Sequence, residues 1–194
     1  MSNYIELGRI PTSRDDRQSL IAEQVAREDR VANMGVDKLR SMVAEYLTSN
    51  KGYLNEEIET EREFRIEVNG ASFIVKADVL VKVGDRNFMM VKCAMSSPAS
   101  WERYSVALCR VACSEAIPFC LVTDGEQVRM INVQTAKSIC ENFAQIPTRQ
   151  AALDILTEIS KKPFYCARPD QEKRILYAFS GIGCPTNEGK SSQT

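Results

Sequence analysis

The sequence predicts a mixed α/β domain, in which helices flank a central sheet. Two observations carry this prediction. A meander of three strands, marked by alternating apolar residues, occupies the middle of the chain, and an amphipathic helix and further short apolar strands follow it. A strand that follows a crossover helix can pair parallel to the meander through a right-handed connection. The order αβββαβ therefore predicts a mixed sheet between helical layers.

Two helices are predicted before the meander. Residues 14–33 are rich in Arg and Asp and carry apolar residues at loose helical spacing, which predicts a weakly amphipathic helix or an oligomerisation arm that ends at Gly35. Regularly spaced apolar residues then predict a second helix, which ends at Asn50-Lys51-Gly52. Its apolar face consists of Val36, Leu39, Val43, Tyr46 and Leu47.

The meander is predicted from alternation and turn residues. Strands are expected at Ile58–Val68 and Ala71–Val83, joined by Asn69-Gly70, which is a strong hairpin signal. The turn Gly84–Asn87 then leads into a third strand, Phe88–Met95. In the second strand, the odd-numbered residues from Phe73 to Val83 are expected to share one face.

The rest of the chain alternates between helices and short strands. Ser97-Pro98 is typical of a helix start, and the helix after it is expected to lead into strands Phe119–Val122 and Val128–Val133. Apolar spacing predicts further helices before Pro163 and after Pro169. We accordingly divide the chain into a partly helical extension (1–34), a folded domain (35–180) and a disordered tail (181–194).

Composition excludes several kinds of chemistry. The chain has 194 residues, a length typical of one domain, and its net charge of −1 gives no global attraction to nucleic acid. Because histidine is absent, Ser-His-Asp and Cys-His catalysis and histidine-ligated zinc are excluded. Any chemistry must therefore depend on carboxylates, Lys, Tyr, Cys or a metal.

Cysteine usage and hydropathy indicate the cytoplasm. The seven cysteines are odd in number and form no CxxC pair, which argues against a disulfide framework or a four-cysteine zinc site. No stretch approaches the ~20 apolar residues of a membrane span. We expect a protein of the reducing cytoplasm with no membrane partner.

The strongest functional signal lies in the predicted second hairpin, Phe73 to Cys93. Asp78 lies on its first strand and Lys92 on its second, and Glu61 lies on the strand before. A carboxylate and a lysine on neighbouring strands are typical of a metal-dependent phosphodiesterase site. Met90 stands where that kind of site would have a second carboxylate.

The element order and four segments resemble the PD-(D/E)XK nuclease superfamily, and in particular the N-terminal domain of type I restriction enzyme R subunits. These segments are KGYLNEEIETE at 51–61, KADVLV at 76–81, MMVKCA at 89–94 and IPFCLVTDG at 117–125. The resemblance implies a restriction-endonuclease-like fold and metal-dependent hydrolysis of DNA. It covers about half of the chain, from Val36 to Val133.

The resemblance also implies a role for each site residue. Asp78 and Glu61 would be Mg²⁺ ligands, and Lys92 would position or activate the attacking water, so that all three form the catalytic set. Met90 has no ligand role, and Glu102 is a candidate for a migrated acid. The Gln-xxx-Tyr pattern of such families is missing from the helix after the motif, which reads WERYSVALCR.

The register of the hairpin decides whether Asp78 and Lys92 meet. A three-residue turn, Gly84–Arg86, would place Asp78 and Lys92 on the same face. A two-residue turn, Asp85-Arg86, would place Cys93 beside Asp78 and Lys92 on the other face. The sequence does not choose between these turns.

Three functions follow as hypotheses. The first is a metal-dependent nuclease acting on DNA. The second is a catalytically degenerate nuclease fold that binds nucleic acid or a protein partner without cleavage, with a local basic patch formed by Lys76, Lys82, Lys92 and Arg103. The third is a structural or regulatory module that self-associates through its N-terminal helix, with a homodimer as the expected assembly.

Overall fold

The computed structural model describes residues 13–68, 70–95, 97–160 and 163–180. The helices within these ranges are α1 (Arg14–Met34), α2 (Val36–Lys51), α3 (Glu102–Val111), α4 (Arg149–Ser160) and α5 (Pro169–Ser180). The strands are β1 (Ile58–Val68), β2 (Ala71–Val83), β3 (Arg86–Cys93), β4 (Phe119–Thr123), β5 (Val128–Asn132) and β6 (Lys137–Cys140). The predicted tail, 181–194, and the first twelve residues lie outside the described ranges.

All six strands form one mixed sheet in the order β1-β2-β3-β4-β5-β6. Only β3 and β4 pair in parallel among the described strands, and α3 connects them as the crossover helix. The predicted α/β architecture, with a mixed central sheet and flanking helices, is confirmed. The sequence did not predict β6, because its four residues include only two apolar ones and show no extended alternation.

Apolar residues form a core on each side of the sheet. The α2–α4 core contains side chains from α2, α4 and one face of the sheet, including Leu39, Val43 and Leu156. The α3–α5 core contains side chains from α3, α5 and the opposite face, including Leu108 and Leu176. Each fully buried side chain of this size stabilises the fold by roughly 1.5–3 kcal/mol. The site-bearing strands are thus fixed from both sides.

The expectation that alternate residues of β2 share one face is wrong. Val79, Val81 and Val83 belong to the α2–α4 core, whereas Val75 and Ala77 belong to the α3–α5 core. The change of face occurs at Asp78. In the β1–β2 register the position opposite Asp78 is Glu61, whose φ of 54° interrupts the regular ladder. The backbone irregularity at Glu61 and the change of face at Asp78 therefore lie opposite each other in the β1–β2 hairpin.

A β-bulge sets the register between β2 and β3. Val83 pairs with Arg86, so the turn has two residues, Gly84 and Asp85, and neither of the two predicted turns occurs. Lys82 pairs with Asn87, but Val81 pairs with Met89, which leaves Phe88 as the extra residue of a bulge. Phe88 and Met89 consequently both enter the α2–α4 core. The bulge produces the register in which Asp78 and Lys92 share a face.

The predicted helices are confirmed, with small changes of boundary. The helix start at Ser97-Pro98 is a short 3₁₀ turn, Pro98–Trp101, that continues into α3. Gly35 separates α1 from α2, and α1 exposes Ile21 and Val25. None of the helices in the described ranges combines the length and apolar character needed to cross a bilayer.

Candidate active site

Asp78 lies at the point where β2 changes face, and its carboxylate is almost enclosed. Its side chain is 10% exposed. Oδ2 accepts a hydrogen bond from the Lys92 ammonium at 2.9 Å and another from the backbone N–H of Cys93 at 2.7 Å. Both donors belong to the end of β3. Asp78 and Lys92, whose meeting the sequence left open, are therefore joined by a short, charge-assisted hydrogen bond.

One aromatic ring, that of Trp101, contacts Lys92. Its Nζ lies 5.2 Å from the centroid of the Trp101 ring, a cation–π contact. Trp101 packs edge-to-face on Tyr104 and also contacts Phe179 of α5. Burial, followed by the negative charge of Asp78, raises the pKa of the Tyr104 hydroxyl to about 12. Lys92 is held between a carboxylate and a ring rather than projecting into solvent.

Met90 belongs to the same face, two residues before Lys92 on β3. It pairs with Leu80 of β2 and is 1% exposed within the α3–α5 core. The position of the expected second acid is thus filled by an apolar side chain in a dry environment. An ionised carboxylate at this position would lose its hydration.

Glu61 lies opposite Asp78 in the β1–β2 register but pairs with a different cation. Its carboxylate Oε2 is 3.2 Å from Nη1 of Arg40, which projects from α2. Arg40 also pairs with Asp37 at 3.1 Å. Asp78 and Glu61 are therefore neutralised by cations from opposite layers, since Lys92 contacts Trp101 beside α3 and Arg40 belongs to α2.

The described side chains around Asp78 do not form a set of metal ligands. Within the described part of the chain, no group of three or more Cys, Asp or Glu side chains is arranged to hold a metal ion. Glu102, the candidate for a migrated acid, has Oε1 2.6 Å from Nε of Arg129 on β5. Mg²⁺ takes oxygen ligands in near-octahedral geometry. These side chains do not present such a set.

The cations predicted to form a nucleic-acid patch are each paired with an acid. Lys76 lies 3.1 Å from Glu63, and Lys82 pairs with Glu59. Arg103 lies 2.6 Å from Glu172 of α5, whose other carboxylate oxygen is 2.7 Å from Arg110. With Lys92 bound to Asp78, all four predicted cations have a carboxylate partner.

The sequence did not indicate three residues that contact the predicted site residues. Arg40 lies in a helix outside the hairpin, and the packing of α2 against the sheet brings it to Glu61. Trp101, the only tryptophan, gave no periodic signal because it ends a 3₁₀ turn. Glu172 gave no signal either, although Arg103 and Arg110 are seven residues apart and could have indicated a charged stripe on α3.

The αβββαβ core, with Asp78 and Lys92 on neighbouring strands, is a restriction-endonuclease-like α/β fold. The family model described as type I restriction enzyme R protein N terminus (HSDR_N) matches residues 37–147, and the chain belongs to this family. No curated protein and no solved structure matches the chain. The matched segment runs from α2 to the loop before α4, so α1, α4 and α5 lie outside it.

Proposed function

We propose that this chain is a catalytically degenerate nuclease-like module that binds a partner without cleaving phosphodiester bonds. The observation that carries the proposal is the separate neutralisation of the two candidate metal ligands. Asp78 is held by Lys92 and the Cys93 N–H, and Glu61 is held by Arg40. A divalent ion would have to displace both cations to gain these two carboxylates.

The charge and the number of the available ligands both disfavour metal-assisted hydrolysis. Metal-assisted hydrolysis needs an ion that stabilises the charge on the attacked phosphate and lowers the pKa of a bound water. Two or three carboxylates normally hold such an ion, and here Met90 removes one of them. The residues present do not fit Mg²⁺, so the proposal includes no metal.

Metal-dependent hydrolysis of DNA is the second candidate. One observation favours it: Asp78 and Lys92 lie 2.9 Å apart on adjacent strands, the arrangement that the family resemblance assigns to a metal-binding acid and a catalytic lysine. In this alternative Glu61 would complete the ligand set after leaving Arg40.

A cleavage assay distinguishes the two candidates. Supercoiled and linear DNA are incubated with the chain and Mg²⁺ or Mn²⁺, beside the variants Asp78→Ala and Lys92→Ala. We expect no cleavage above background for any of the three proteins. Cleavage by the parent that both variants lose would overturn the proposal and establish the nuclease function.

For the partner, we favour protein over nucleic acid. The paired state of Lys76, Lys82, Lys92 and Arg103 supports this choice, because a cation already neutralised by a carboxylate contributes little to counterion release from DNA. The test is DNA binding measured across a range of salt concentrations. Tight binding with a steep salt dependence would favour nucleic acid instead.

A further inference from the structure

A groove lies between α2 and the start of β1. It has a volume of about 390 Å³ and is lined by two elements and the turn between them. The lining residues are Ala44, Glu45 and Thr48 of α2, Asn55 of the turn, and Ile58 and Thr60 of β1. Because β1 is the first strand of the sheet order, it pairs only with β2 among the described strands.

From this arrangement we infer that the groove is a docking site for an extended, basic peptide segment of a protein partner. An edge strand presents backbone N–H and C=O groups along its free side, and an added strand can satisfy them. The helix beside it forms the second wall, which receives alternate side chains of the added strand. The inference rests on the proposed function and adds the chemical character of the partner.

The charge of the groove selects the kind of peptide. Glu45 is exposed and makes no ion pair with any described residue, in contrast to Glu59 and Glu61 of the neighbouring strand. A lysine or arginine in the docked segment would supply the missing cation. Thr48, Asn55 and Thr60 add side-chain hydrogen-bond donors and acceptors, which suit a peptide better than an apolar ligand.

The same charge disfavours nucleic acid here. Phosphate groups beside an unpaired carboxylate would be repelled, and no Lys or Arg lines the groove. The backbone of β1 also changes course at Glu61, with its φ of 54°, so the regular edge available next to the groove is the short stretch 58–60. A segment of a few residues is the expected footprint, and we expect modest affinity.

The test uses the full chain and an eight-residue peptide of alternating valine and lysine. Binding is followed by fluorescence anisotropy of the labelled peptide and by backbone amide shifts in NMR spectra. We expect saturable binding, with shifts concentrated at 44–48 and 55–60. A peptide of alternating valine and glutamate should not bind.

A charge reversal in the groove provides the internal control. Glu45→Lys should weaken binding of the valine–lysine peptide at least about tenfold, whereas Glu67→Lys, an equal charge change at an exposed position of β1 beyond the groove, should leave it within about twofold. Equal effects of the two variants, shifts that map elsewhere, or no binding at millimolar peptide would overturn the inference. A DNA oligonucleotide that shifts the same amides would also overturn it. None of these results bears on DNA cleavage, so the proposed loss of catalysis is judged separately.

Discussion

Lys92 on β3 donates a hydrogen bond to Asp78 on β2, although the turn between these strands would by itself keep the two residues from pairing. The two-residue turn pairs Val83 with Arg86, and that register would place Val91 opposite Asp78. The bulge at Phe88 advances β3 by one residue, and the Lys92 Nζ then lies 2.9 Å from the Asp78 carboxylate. A single inserted position therefore decides whether the candidate site exists.

Removing one partner of the Asp78–Lys92 pair should destabilise the fold. Lys92→Met leaves the Asp78 carboxylate, 10% exposed, with only the Cys93 N–H as a described donor. We expect a loss of about 3 kcal/mol in the free energy of unfolding, measured by urea denaturation, because an uncompensated buried charge remains. The double variant Asp78→Leu with Lys92→Met should recover most of this loss.

A surface pair provides the control for that measurement. Lys76 pairs with Glu63, and both side chains are more than half exposed. Lys76→Met should change stability by no more than ~0.5 kcal/mol. A loss for Lys92→Met as small as that for Lys76→Met would mean that the Asp78–Lys92 pair is solvated in solution.

The sequence predicted the layers but left open whether Asp78 and Lys92 meet. Apolar periodicity is set by burial, so the helices and the strands of the meander could be located from pattern alone. The bulge at Phe88 and the left-handed backbone at Glu61 are local departures from that period, and neither position carries a Gly that would have marked it. The partner of Glu61 depends on tertiary packing of α2, which no local pattern encodes.

Restoring the missing acid should destabilise the fold rather than create a site. Met90 is 1% exposed in the α3–α5 core, so Met90→Glu would place a carboxylate in a dry environment near Asp78. We expect a loss of at least about 3 kcal/mol at pH 7, measured by urea denaturation. Met90→Leu, which keeps an apolar side chain of similar volume, should cost less than about 1.5 kcal/mol.

The pH dependence of Met90→Glu has a definite sign. Desolvation raises the pKa of a buried carboxyl group above its unfolded value. The variant should therefore be closest to the parent below the unfolded pKa, about 4.3, and should lose stability relative to the parent as pH rises through the folded pKa. If Mg²⁺ instead restores the stability of the variant at pH 7, the position is competent for a metal and the degenerate interpretation fails.

Glu57 should stabilise the fold with the opposite pH dependence. Its carboxylate accepts hydrogen bonds from Arg149 Nε at 2.8 and 3.0 Å and from Arg149 Nη2 at 2.8 Å, which fixes the start of α4. The bonds from Arg149 hold the pKa of Glu57 below its ordinary value, against the effect of burial. This stability is present above the unfolded pKa and is lost as pH falls through the lowered folded pKa.

Glu57→Gln is the variant that checks this. It should destabilise the protein at pH 7, and the difference from the parent should shrink as the pH is lowered below about 4.3, the unfolded value. Thermal or urea unfolding at several pH values measures it, with Glu56→Gln, an exposed neighbour, as the matched control. A difference that stays constant from pH 7 to pH 3 would contradict the assignment.

The buried cysteines should be chemically silent in the folded protein. Burial, followed by the charge of Asp78, raises the pKa of the Cys93 thiol to about 12, and burial raises the pKa of Cys109 as well. Since the thiolate is the reactive form, very few of the Cys93 side chains would be reactive at pH 8 even if reagent could reach them. Iodoacetamide labelling followed by peptide mass spectrometry should leave both cysteines unmodified under native conditions and modify them in urea.

Half-buried Cys166 should react under native conditions. Rapid native labelling of Cys93 would indicate that the end of β3 opens, and with it the Asp78–Lys92 pair, because the N–H that binds Asp78 belongs to the same residue.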